Sequence, residues 1–400
     1  MDETTFHRRL RAEVETWCRE GIIPAELAKT LTERYAEGSA RSRQTLAGGL
    51  IAMLGAVLLG IGVIALFASN WETIPGWAKL GSIVAAFVTS YATGYRLRFH
   101  GTTFRGTGDA LLFLGAPLYG ASLFLIANGY QIPIDSPLLL TLLGLGILPL
   151  AWVLVSRTQW ALAILAIGVA VAMEAVGWVA QRPSWVLGTL IQYAVLTGGV
   201  GQLLFGHPTR GSLAEPARNL ALLATFWCLV PLGFADVHRF DDYGFKMAAD
   251  PGFLQRIAAL GLVALAAHAV AWMRSPRGRL DTWVGAAWAT VMVGIGVSLL
   301  DRVPPGAAAA IANTVNFALI LGLIAYAYAT RTPYLLNTAV LFFSIQTGCR
   351  YVDLFYETWP PEVFFLTLGA LLLFGGMLVE KGRRRMIRSW SEPTTQGGAA

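Results

Sequence analysis

Long apolar runs broken by short polar turns recur along this chain from Leu46 to Val379. The first run, Leu46 to Ala68, carries no charge and is long enough to cross a hydrocarbon core of about 30 Å. A polar turn follows, Ser69 to Trp77, in which Trp71 and Trp77 flank Pro75-Gly76. Tryptophan favours the water–lipid boundary, and Pro-Gly stops a helix there. A second run leaves Trp77 and ends in Arg96 and Arg98. This pattern predicts a transmembrane hairpin, and the same device repeats. Further runs lie at about 108–127, 137–155, 160–180, 185–205, 219–235, 253–273, 281–300, 306–328, 333–349 and 362–379. The expected fold is therefore all-α and polytopic, with about twelve transmembrane helices.

The ends are polar. In residues 1–45, Phe6, Leu10, Val14 and Trp17 recur among charges at helical spacing. Gly21 ends that helix and Pro24 suits the first turn of another, with Leu27 and Leu31 at i and i+4. The pattern predicts a short cytoplasmic helical hairpin, either a leader packed on the spans or lipid headgroups, or a module that binds a protein partner. Residues 46–380 form the bundle, and residues 381–400 read as a basic, disordered tail.

Composition agrees with the spans. The chain is 55% hydrophobic and 14% charged, against roughly 25% charged in soluble domains. The net charge of +6 does not point to nucleic acid, because Lys and Arg sit at span ends. With the N-terminus placed inside, the inner segments hold twenty-three Lys and Arg, the outer ones five, and Lys79 and Arg256 fall inside span starts. That bias is what the positive-inside rule expects. It predicts a multi-pass membrane protein with both termini cytoplasmic. No secretory signal precedes Leu46. Cys18, Cys228 and Cys349 show neither disulfide nor zinc spacing.

Polar groups inside the spans are the candidate chemistry, because a charge at mid-bilayer costs several kcal/mol. Glu174 is the only acidic residue well inside a span. Counting along the helices places it, Gln192, Asn313 and Gln346 in the outer half, with Asn316 near the middle. Arg350 and Asp353, at i and i+3, share a helix face near the outer end. Together these predict a polar layer open to the outer face, a pathway for a substrate or ion. Interhelical hydrogen bonding that only fixes packing accounts for them too. His268 lies in the inner half, too deep to pair with Glu174, and a neighbouring helix is expected to satisfy it.

The outer loop from Asp236 to Asp250 holds His238, Asp241 and Asp242, which superficially resembles a metal or acid cluster but lacks a second ligand set. Glu72 is a conceivable base beside interfacial tryptophans. No metalloprotease, phosphate-loop or nucleophile-elbow motif is present. No enzyme activity, cofactor or metal is expected.

The turn Ala68-Ser69-Asn70-Trp71-Glu72-Thr73-Ile74-Pro75, followed by Trp77-Ala78-Lys79-Leu80, resembles the bacterial membrane proteins grouped as domain of unknown function 2157. Gly21-Ile22-Ile23-Pro24 and the glycines Gly48, Gly49, Gly55, Gly60 and Gly62 match that family's pattern in order. Arg350-Tyr351-Val352-Asp353-Leu354-Phe355 and Glu380-Lys381-Gly382-Arg383-Arg384 are similar to its C-terminal phrases. The resemblance covers about the first hundred and last fifty residues. It marks Asn70, Trp71, Glu72, Pro75 and Trp77 as the outer-turn motif and implies an inner-membrane protein without an established activity.

Three functions stay open on these residues. The first is a transporter-like carrier of a small molecule or lipid, built on the polar layer. The second is a structural or sensory protein acting through its N-terminal hairpin. The third and weakest is a membrane-embedded enzyme using outer-face acids.

Overall fold

The computed structural model describes residues 75–100, 105–133, 135–179, 182–205, 207–243, 251–274 and 303–389, with scattered positions elsewhere. No strand occurs among the described residues. Asn70, Trp71 and Glu72 lie outside them, as do most of the N-terminal hairpin and most of the runs at 46–68 and 281–300. The chain divides into two compact units, Met1–Ile134 and Asp135–Ala400.

In the first unit, helix α1 (Gly76–Phe99) follows Pro75, and α2 (Arg105–Gly129) packs along it. Trp77 projects from the start of α1 and is largely exposed, as an interfacial anchor would be. Two glycines set the closeness of this pair. A Cβ on Gly94 would stand 2.9 Å from Leu112 N and 3.0 Å from the Gly108 carbonyl, and one on Gly108 would stand 2.6 Å from Arg98 N. Backbone therefore touches backbone, the small-residue contact that holds helices together where lipid supplies no hydrophobic drive. The Ser90 hydroxyl donates to the Leu111 carbonyl at 2.6 Å, and Arg98 pairs with Asp109 at 3.0 Å.

The second unit begins with α3 (Pro137–Leu154) and α4 (Arg157–Val179), packed against each other. Next come α5 (Pro183–Leu204), a 3-10 turn (Gly211–Leu213), α6 (Ala214–Leu232), the short α7 (Ala235–Tyr243) and α8 (Pro251–Arg274). After them run α9 (Pro305–Thr330), α10 (Pro333–Phe355) and α11 (Pro361–Ala370). A π turn (Leu371–Gly375) carries the last into α12 (Gly376–Ser389). Proline opens α3, α5, α8, α9, α10 and α11, where its missing N–H removes nothing the helix needs. The helical tract at the basic end continues to Ser389, so the segment expected as a disordered tail begins as helix. Its first residues are anchored on α10 through Arg383. Residues 390–400 lie outside the described residues.

Seven helices are long and apolar enough to cross a membrane: α2, α3, α4, α5, α8, α9 and the α11–α12 tract. Helices α1, α6 and α10, with more polar and charged residues, are not among the seven. The expected twelve spans thus stand as seven among the described residues. Most helix ends nonetheless fall within a few residues of the predicted runs, but α10 runs on to Phe355 and the last helix to Ser389, well beyond theirs.

Helix α5 is the hub, packing on α4, α6, α7 and α8. Its Gly198-Gly199-Val200-Gly201 run explains how. A Cβ on Gly198 would meet Trp288 and Ala221, one on Gly199 would meet Ala267 and His268 of α8, and one on Gly201 would meet Ala214 O and Arg218 N of α6, at distances from 2.9 to 3.4 Å. Ile191, Val195, Leu229, Val291 and Ala312 close a core around that hub. A second core joins Phe226, Ile320, Leu336 and Phe342, with the Phe226 and Phe342 rings stacked at 4.7 Å. Hydroxyls are satisfied locally: Thr141, Thr189, Thr197, Thr225 and Thr338 each donate to the carbonyl four residues back. In an apolar solvent an unpaired hydroxyl would be costly. Outward positions such as Leu145, Val153, Val169 and Leu262 remain exposed, as a lipid-facing surface requires.

Candidate functional site

Helix α6 ends at a corner. Pro231 lacks an N–H, and the chain breaks at Gly233 before α7. The last carbonyls of any helix lack intrahelical donors and carry the negative end of its dipole. Here side chains supply those donors. His238 Nε2 contacts the Leu232 carbonyl at 2.9 Å. The Gly233 carbonyl accepts from Asn313 Nδ2 of α9 at 2.9 Å and from Arg350 Nη1 of α10. A Cβ at Gly233 would collide with the Asn313 amide and stand 3.3 Å from Arg350 Cζ. Only glycine leaves room for both donors.

From this carbonyl the network runs inward and outward. Gln346 Nε2 donates to Asn313 Oδ1 at 2.7 Å, and Asn316 Nδ2 donates to Gln346 Oε1 at 2.9 Å. Asn316 and Gln346 are fully buried. On the other side Arg350 Nη1 reaches Asp353 Oδ2 at 2.8 Å, and its guanidinium carbon lies 3.9 Å from the centre of the Phe234 ring. The cation is thus held by a carboxylate, a helix-end carbonyl and an aromatic face. Three polar atoms of the network are buried with no hydrogen-bond partner: Arg350 Nε, Arg350 Nη2 and Asn316 Oδ1.

Five of the seven predicted pathway residues, Asn313, Asn316, Gln346, Arg350 and Asp353, are therefore one connected group. The other two are elsewhere. Glu174 in α4 forms an ion pair with Arg256 of α8 at 2.6 Å, and both side chains are about half exposed. Gln192 of α5 faces Gly261 of α8, and its Oε1 is buried without a partner. His268 is satisfied by α5, as expected: Nε2 lies 2.9 Å from the Val195 carbonyl and Nδ1 lies 2.8 Å from Gln202 Oε1.

The expected outer loop after Asp236 is helical as far as Tyr243, and His238 is buried on the Leu232 carbonyl rather than open in a loop. The side chains of Asp241 and Asp242 lie outside the description. No group of three or more metal-ligating side chains occurs among the described residues. Of the outer-turn motif, Pro75 and Trp77 are described, at the start of α1.

Sequence reasoning passed over a second polar group. Gln159 is fully buried at the start of α4, and Trp160 Nε1, Arg218 Nε and Asn219 Oδ1 are buried without partners. Arg157 pairs with Glu215 at 3.2 Å, and Arg210 stacks 4.1 Å over Trp152. Read along the sequence, these arginines are ordinary inner-loop charges.

Residues 15–160 match the model of the family described as predicted membrane protein (DUF2157). No curated protein and no solved structure matches the chain. The family match, with the seven apolar helices, makes this a membrane protein in contact with lipid.

Proposed function

We propose that this membrane protein is a carrier for a small polar solute, with the Arg350 network as its binding group. The observation carrying this reading is the guanidinium of Arg350, which keeps two buried nitrogens, Nε and Nη2, without acceptors beside Asp353 and the amides of Asn313 and Gln346. A buried donor left unmatched costs roughly 1–3 kcal/mol, more on a charged group, so an acceptor supplied by a solute or by water is favoured there. Glu174, bound to Arg256, moves to a supporting role in this scheme. The full topology we propose has twelve spans, both termini cytoplasmic, in a bacterial inner membrane, with no catalytic step.

A thermal-shift screen tests it directly, using purified protein and a panel of small carboxylates, phosphates, amino acids and sugars. A solute that stabilises wild type and fails to stabilise Arg350→Gln is the expected result. A wild type unmoved across the panel overturns the reading.

One observation favours a second reading, a structural or sensory protein working through residues 1–45. Asn313, Asn316 and Gln346 bond to one another across α9 and α10, as a packing lock would. On that reading deletion of residues 2–43 abolishes function in cells, while Arg350→Gln is silent once the protein is folded.

A further inference from the structure

The C-terminal helix α12 has two unlike faces. One is docked on the protein. Arg383 makes two hydrogen bonds to Glu380, at 2.6 and 2.8 Å, and donates a third to Asn337 Oδ1 of α10 at 2.9 Å. Met386 and Ile387 pack into the Phe226–Phe342 core. These four positions, 380, 383, 386 and 387, fall on one side of a helix of 3.6 residues per turn.

The opposite side is an outward stripe. At Met377 and Leu378 it is apolar and strongly exposed, 59% and 69%. One turn later it becomes basic, with Lys381, Arg384 and Arg385 exposed at i, i+3 and i+4. Arg384 shares Glu380, at 2.6 Å, while Lys381 and Arg385 have no ion-pair partner among the described residues. The change from apolar to basic takes about 5 Å along the axis. That is the profile of an amphiphile lying along the helix, with acyl chain below and phosphate above.

We propose that this stripe binds an anionic phospholipid, its acyl chain against Met377 and Leu378 and its headgroup phosphate on Lys381, Arg384 and Arg385. Charge complementarity selects the sign of the headgroup, and the apolar continuation selects a lipid over a soluble phosphate. The docked face fixes the azimuth, because the Glu380–Arg383–Asn337 contacts hold the basic stripe away from the protein.

The test uses full-length protein in nanodiscs of phosphatidylcholine with and without phosphatidylglycerol. Native mass spectrometry reads the lipid retained after release. Wild type is expected to retain phosphatidylglycerol over phosphatidylcholine. Lys381→Gln/Arg384→Gln/Arg385→Gln is expected to lose that preference by on the order of a hundredfold at low ionic strength, from about 1 kcal/mol for each basic residue. Lys381→Gln and Arg385→Gln, which break no described contact, keep the test valid if the triple variant fails to fold; each is expected to lose roughly fivefold. The charge-preserving Lys381→Arg/Arg385→Lys should behave as wild type. Unchanged lipid preference in the glutamine variants overturns the proposal. So does displacement of the lipid by inorganic phosphate, which would mark a site indifferent to the acyl chain.

Discussion

Arg350 and Gly233, 117 residues apart, are joined by a hydrogen bond from the guanidinium Nη1 to the backbone carbonyl at the end of α6. The same carbonyl accepts from Asn313. One backbone oxygen therefore ties the corner between α6 and α7 to both α9 and α10, and it does so at the negative end of a helix dipole.

Gly233→Ala should destabilise the protein even though its φ of −74°, at the helix cap, is open to any residue. The added methyl would strike the Asn313 amide and crowd Arg350. We expect a loss of about 1–3 kcal/mol, the usual range for overpacking. Thermal unfolding in detergent reads it, and a Gly233→Ala protein as stable as wild type contradicts the geometry.

Gln346→Leu removes the middle of the amide chain and strands Asn313 Oδ1 and Asn316 Nδ2. Each stranded buried group costs roughly 1–3 kcal/mol. The triple change Asn313→Leu/Asn316→Leu/Gln346→Leu, which removes the whole amide chain, should recover part of the loss. Comparison of the two melting temperatures decides, and a triple variant less stable than the single one would refute the account.

Glu174 and Arg256 should behave as a pair. Glu174→Gln or Arg256→Gln alone breaks this ion pair and keeps one of its charges, whereas Glu174→Gln/Arg256→Gln removes both. We expect each single variant to melt below the double variant in nanodiscs. Singles more stable than the double would show that the 2.6 Å contact contributes nothing to the fold.

Gly94→Leu should part α1 from α2, because its neighbours across the gap are backbone atoms that cannot turn aside. Cysteines placed along the two helices would then cross-link less efficiently than in a Gly94 background. Equal cross-linking would mean the two glycines do not set the spacing.

Helix positions were legible in the sequence because proline marks so many starts. Pro137, Pro183, Pro305 and Pro333 each stand at a helix's first residue, and the apolar runs between them could only be helices in lipid. The polar network was legible in its side chains: Asn313, Gln346, Arg350 and Asp353 stand out against apolar neighbours at matching depth. Its centre was not. The Gly233 carbonyl has no side-chain signature, and only the Pro-Leu-Gly break at 231–233 hints at a helix end with unclaimed acceptors. Glu174 looked solitary because its partner Arg256 lies 82 residues away at the start of another helix. His238 looked like a loop ligand because nothing local tells an inward imidazole from an outward one. Gln159, Trp160, Arg218 and Asn219 were hidden for the opposite reason, since polar residues near span ends are what every membrane protein shows.

The π turn at Leu371–Gly375 gives the last helix a rotational offset. A π turn takes one residue more than an α turn, so everything beyond it is turned by about 100° relative to an unbroken helix. The compass bearing of the basic stripe is thus set by a single inserted residue rather than by the composition of the stripe itself. Deleting one leucine from Leu371-Leu372-Leu373 would leave the length, charge and hydropathy of the span nearly unchanged. Closing the π turn to an ordinary α turn would absorb that deletion, so Lys381 and Arg385 would keep their outward bearing and Met386 and Ile387 their core. In this part of the chain, angular register separates a surface that meets the bilayer from one that meets the protein.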